Sequence, residues 1–246
     1  MPIGIMSAMQ EEIQLLYEQL EVESESEFGM RTYYSGKLQD KQVVLVFSRW
    51  GKVAAASTAT TLIDKFGVTE LIFSGVAGGI DERLNIGDIV IGERLIQHDM
   101  DATPIYSKYE IPLMNRTYFE SNIEISERLA TATENFLTLN ELGSPFITEF
   151  EQHSPTIYRG DIASGDRFIS DKIEIENFRS ELPNVLCVEM EGAAVAQICF
   201  EYNIPFGIVR TISDSADDEA HIDFVKFVKK VASQYTVGIL MDYLSR

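Results

Sequence analysis

The sequence predicts an α/β protein folded as one domain over residues 1–246, and three observations carry that reading. Short apolar runs of strand length alternate with amphipathic stretches of helix length from end to end. No internal repeat, low-complexity tract or linker-like segment interrupts the alternation. With 45% hydrophobic and 24% charged residues, the 246-residue chain has the composition of a soluble globular protein and the length for a large core.

The N-terminal Ile3-Gly4-Ile5-Met6-Ser7-Ala8 reads as a strand that enters a helix carrying Ile13, Leu16, Tyr17 and Leu20 on one face. The acidic stretch 21–27 reads as a loop, 28–38 and 42–48 as two strands, and Gln39-Asp40-Lys41 as their turn. Small residues dominate 53–66, which suits a helix lying close on a sheet. Leu71-Ile72-Phe73-Ser74 is a strand, and Gly75-Val76-Ala77-Gly78-Gly79 places three glycines where the chain leaves it and backbone must approach another group closely. Ile89-Val90-Ile91-Gly92 is the next strand, whereas the polar, proline-containing stretch 97–121 has little period and reads as a long functional or interface loop. Helices are expected at 123–137, 173–182, 191–202 and 222–244, strands at 156–164, 185–188 and 206–213, and an irregular connection at 138–154.

Twenty Lys and Arg stand against 39 Asp and Glu, a net charge of −19, and the cations are scattered. A phosphate-tracking surface needs clustered cations, so nucleic acid and acidic membranes are disfavoured as partners. No apolar run reaches the roughly 20 residues of a bilayer span. Residues 1–10 have neither a basic start nor a long apolar stretch, and a cytoplasmic location is expected. Cys187 and Cys199 read as buried free thiols, and His98, His153 and His221 are too dispersed for a metal cluster. Neither metal nor cofactor is expected.

Open α/β sheets gather functional polar groups at the carboxyl ends of strands. Four such exits stand out: 9–12, 75–79, Glu189-Met190-Glu191 and Ser213-Asp214. Carboxylates beside apolar runs are costly unless paired or used. Glu12 and Glu191 also suit the positive end of a helix, and Asp214 also suits a turn cap.

Eight blocks, in order and spanning nearly the whole chain, carry a family resemblance: Ile3-Gly4-Ile5 with Ala8-Met9 and Glu11-Glu12; Gly51-Lys52-Val53-Ala54-Ala55-Ala56; Ala77-Gly78-Gly79; Gly87-Asp88-Ile89-Val90; His98-Asp99 with Asp101 and Thr103; Ser164-Gly165-Asp166 with Phe168-Ile169; Val188-Glu189-Met190-Glu191; and Arg210 with Ile212-Ser213-Asp214. The chain resembles the bacterial 5′-methylthioadenosine/S-adenosylhomocysteine nucleosidases of the nucleoside phosphorylase group. That resemblance implies a three-layer α/β/α sandwich around a central mixed sheet, and hydrolysis of an adenine N-glycosidic bond. It gives Asp214 the role of acid on adenine N7, Glu12 that of activating water with Arg210 orienting it, and Glu191 that of holding the ribose hydroxyls. Met190 would lie against the ribose and Phe168 near adenine, with the backbone of Phe168 or Ile169 reading the base edge. Val76, Ala77, Gly78, Glu189 and Ser213 line the ligand by matched position.

The related phosphorylases carry an arginine and a serine where this chain has Phe73 and Val76, so phosphate lacks donors and hydrolysis is favoured. Nucleosidases usually have serine at the position of Val76, and a smaller aliphatic residue at the position of Trp50, which reads either as a 5′-pocket wall or as core. Met9, Trp50, Met190 and Phe224 would form the apolar 5′ pocket, with Ala102 and Ile105 reaching in from the second subunit of a homodimer. The stretch 216–221 reads either as a lid or as an exposed acidic turn. A nucleosidase with another 5′ group, of the futalosine or adenosine type, and a non-catalytic nucleoside binder are the alternatives.

Overall fold

The structure is a computed structural model that describes residues 1–141, 154–215, 224 and 227–246. Among the described residues ten strands form one sheet, centred on β5 (Glu70–Gly79), which pairs in parallel with β1 (Ile3–Ser7) on one side and β10 (Phe206–Asp214) on the other. β1 leads outward through β4 (Lys41–Phe47) and β3 (Arg31–Leu38) to the edge strand β2 (Glu21–Phe28). On the other side β10 pairs with β6 (Ile89–Gln97), β6 with β8 (Ile157–Ser164), and β8 with β9 (Val185–Glu189). β9 then returns to Gly78 and Gly79 of β5, so these five strands close into a ring. The short β7 (Tyr118–Glu120) extends β6.

Helices α2 (Lys52–Phe66) and α5 (Gly192–Tyr202) pack together on one face of this mixed sheet. Helices α1 (Gln10–Gln19), α3 (Ile123–Glu141) and α6 (Ser233–Leu244) cover the other, giving the expected three layers. Helix α4 (Lys172–Glu181) closes a smaller apolar cluster around Ile169 and Val188, and Asp171 caps it by accepting the N–H groups of Ile173 and Glu174. Small side chains let α2 lie close: Ala55, Thr58 and Ala59 are buried with Leu62, and Gly67 ends the helix in the left-handed region.

Several boundaries differ from expectation. Residues 21–27 are not a loop but most of β2, whose exposed side chains alternate acid with serine or valine and leave no apolar period to read. Its hairpin partner begins at Arg31 rather than Phe28, because Gly29 and Met30 both take positive φ and form the turn. β5 does not end at Ser74 but continues through the glycines to Gly79, and β6 continues past Gly92 to Gln97. α3 runs past Leu137 to Glu141. The C-terminal helix contains a π-helical turn, Val228–Ala232, before α6. Most of the expected irregular connection (142–153) and the expected lid (216–221) lie outside the described residues. Both cysteines are buried, and burial pushes their thiols up. Among the described residues no helix is long and apolar enough to cross a membrane.

Candidate active site

Glu12 sits in the first turn of α1, directly after β1, with 1% of its surface exposed. Its Oε2 accepts the N–H groups of Ala8 (2.8 Å) and Met9 (2.9 Å), and its Oε1 accepts that of Val76 on β5 (3.0 Å). Gly75 makes room for this approach: a Cβ there would stand 2.7 Å from Oε1. The glycine-rich end of β5 therefore does bring backbone close to another group, and that group is a carboxyl. Burial pushes the Glu12 pKa up to about 7, against the pull of the Arg210 charge and the three N–H donors. A carboxyl that titrates near neutrality is suited to accept a proton from water.

Arg210, on β10, is 1% exposed and spans the base of the site. Its Nη1 donates to the carbonyls of Phe73 and Val209 (3.1 Å each), its Nη2 donates to Glu189 (2.7 Å), and the guanidinium lies 4.1 Å from the centre of the Phe73 ring. Among the described hydrogen bonds Arg210 thus reaches Glu189 rather than Glu12, which feels it through charge alone. Glu189 also accepts the N–H groups of Gly192 (2.8 Å) and Glu191 (3.2 Å) and the Ser164 hydroxyl, so it holds the start of α5. Its carboxylate borders the cleft, yet these partners commit it to structure. Glu191 is buried beside it and accepts the Gly51 N–H at 2.7 Å. Burial and the Glu189 carboxylate push its pKa up.

Asp214 ends β10, buried, and accepts the Ser213 hydroxyl at 2.8 Å. The β10–β5 register shifts between Ile212 and Asp214, an irregularity of the kind that re-aims a side chain.

These groups meet in one cleft. Glu12, Glu191 and Asp214 supply its acids, while Met9, Val76, Ala77, Gly78, Ile169 and Met190 supply apolar or backbone wall. At the mouth, Phe224 stands edge-on to Trp50 (6.1 Å between ring centres) and to Phe168 (5.7 Å). Trp50 is 55% exposed, so it is not core. Among the described residues no His, Cys, Asp or Glu cluster suits a metal. A mostly apolar cleft with buried carboxyls can grip a heterocycle and carry out acid–base chemistry on it.

The sequence model described as the phosphorylase superfamily matches residues 2–245. A 5′-methylthioadenosine/S-adenosylhomocysteine nucleosidase of Staphylococcus aureus is 37% identical over 98% of this chain and 100% of its own. The chain belongs to that nucleosidase family within the phosphorylase superfamily. As a family member it is a hydrolase of N-glycosyl bonds. Among solved structures, the Neisseria meningitidis nucleosidase in complex with methylthio-immucillin-A superposes with a TM-score of 0.87 at 33% identity, covering 99% of this chain and 98% of that one. Futalosine hydrolase of Helicobacter pylori superposes with a TM-score of 0.83 at 31% identity, over 98% of this chain and 96% of the other.

In this nucleosidase-family cleft the structure gathers Glu12, Glu191 and Asp214 with Met9, Trp50, Val76, Ala77, Gly78, Phe168, Ile169, Glu189, Met190, Ser213 and Phe224, and sets Arg210 behind them. Ala102 and Ile105 are not among the residues lining it, and Ile105 is 83% exposed. Ala8, Arg167 and Val188 line the cleft without having been expected as site residues, although each lies beside one that was.

Proposed function

We propose that the chain hydrolyses the N-glycosidic bond of 5′-methylthioadenosine and S-adenosylhomocysteine, releasing adenine and a 5′-thioribose. The observation that carries this reading is the convergence of the buried carboxyls of Glu12, Glu191 and Asp214, beside that of Glu189, on one cleft, with Glu12 poised near neutrality. Ionised Glu12 takes a proton from water as the water oxygen bonds to ribose C1′. The C1′–N9 bond breaks, and Asp214 gives its proton to adenine N7. Glu191 accepts from the ribose hydroxyls, and the negative site favours a ribose with cationic character. Phe168 and Ile169 flank the base, and Met9, Met190, Trp50 and Phe224 receive the 5′ group. Val76 contributes its N–H to Glu12 and no hydroxyl. The active form is a homodimer of single-domain chains in which Ala102 and Ile105 complete the neighbour's 5′ pocket, working in cytoplasmic methionine salvage.

A second reading, a nucleosidase for another 5′ group such as that of futalosine, draws on the comparable similarity to futalosine hydrolase and on the indole at the mouth. Adenine release from 5′-methylthioadenosine in phosphate-free buffer, with free methylthioribose as co-product, is expected. Release that requires phosphate would instead make the chain a phosphorylase. Faster release from a nucleoside with another 5′ group would favour the second reading, and no release from any would leave a binding role.

A further inference from the structure

Helix α2 begins at Gly51, whose φ of +92° suits glycine and which has no side chain to cap the helix. Two carboxylates from elsewhere take its first N–H groups. Glu191 accepts from Gly51 at 2.7 Å, and Asp166, in the turn after β8, accepts from Lys52 at 2.8 Å. The positive end of a helix favours both anions. The bonds then close into a ring: the Asp166 N–H donates to Asp99 (2.9 Å), and the other Asp99 oxygen pairs with the Lys52 ammonium. Lys52 also donates to Gln97 (3.2 Å), which donates to Gln197 on α5 (2.7 Å). Lys52, Asp99 and Asp166 do not line the cleft, yet Lys52 and Asp166 lie beside segments that do, at Trp50 and at 167–169. The segments follow β4, β6 and β8, strands that are not all adjacent in the sheet.

We propose that Lys52, Asp99 and Asp166 form a positioning network that seats the start of α2, so that Gly51 presents its N–H to Glu191 while Trp50 and the 167–169 wall keep their spacing across the cleft. The step from Glu191 to ligand affinity rests on the nucleoside reading above. Asp99 closes the ring with both carboxylate oxygens, one on the Lys52 ammonium and one on the Asp166 N–H.

Trp50 is the chain's one tryptophan and adjoins Gly51, so its fluorescence reports the seat directly. In Asp99→Asn, acrylamide quenching of Trp50 is expected to steepen about two-fold at an unchanged Tm, as a local loosening should. Calorimetric affinity for a carbon-linked adenosine analogue, which lacks the scissile bond, is expected to fall about ten-fold in Asp99→Asn, but less than about two-fold when Asp99→Asn is added to Glu191→Gln. Wild-type quenching in Asp99→Asn would overturn the network. Equal losses of affinity in the two backgrounds would overturn its action through Glu191. An analogue that fails to bind wild type counts against the nucleoside reading, and the quenching still decides the network. Should Asp99→Asn lose its thermal transition, Lys52→Gln opens the same ion pair while keeping the backbone bond to Asp166, and the same quenching criterion applies.

Discussion

At Glu12, burial and three backbone donors act in opposite directions on one proton, and burial wins. The folded pKa of about 7 stands above the ordinary 4.5, so the unfolded chain gives up this proton first as pH rises. The sign follows: the contribution is fully present below about pH 4.5 and is lost as pH climbs through about 7. Its size is about 3 kcal/mol. Comparing wild type with Glu12→Gln in urea melts across this window cancels most other groups. The stability of wild type relative to the variant should fall by that amount from acid to neutral, and a flat difference would place the Glu12 pKa at its ordinary value. Residue identity was readable here because Glu12, Glu191 and Asp214 each follow an apolar run, where an idle carboxylate is costly. The partner of Arg210 was not readable, since Glu12 and Glu189 are both carboxylates at strand ends and only the path of β9 decides between them.

The junction of β9 with α5 shows how one element depends on another. Glu189 pairs with a nearly fully buried arginine and accepts the first N–H groups of the helix, so Glu189→Ala leaves a buried cation and an open helix end together. Breaking a buried pair from one side costs about 3–5 kcal/mol. Urea denaturation should show that loss, and a change within about 0.5 kcal/mol, typical of surface sites, would mean that water reaches Arg210 freely. Strands and helices with an apolar period were legible in the chain, down to the buried run Val185–Glu189. β2 escaped because nearly all of its side chains face solvent and its alternation is one of charge, while β5 outlasted its predicted end because pairing with β10 and β9 overrides the glycines' weak strand preference.

Over the whole molecule, the pairing of β5 with β1, β10 and β9 brings Glu12 and Asp214, about 200 positions apart in the chain, into one cleft, which no local pattern in the chain announces. Outside the cleft, Ile105 and Leu113 are 83% and 91% exposed in the segment assigned to the proposed dimer contact. Ile105→Glu is expected to shift the protein from dimer to monomer in sedimentation velocity and to cut adenine release by at least about ten-fold, the scale of a central apolar contact. Wild type sedimenting as a monomer with full activity would remove the dimer from the mechanism. The attachment of Glu12 has a consequence of its own at this scale. The amides of Ala8, Met9 and Val76 hold it, and every residue except proline carries such a donor. Exchanging the side chain at 9 or 76 therefore leaves these donors to Glu12 in place: valine supplies the N–H at 76 just as a hydroxyl residue would, and only proline or a rerouted strand removes it. Substrate preference can drift through those side chains while the carboxyl proposed to activate water keeps its donors.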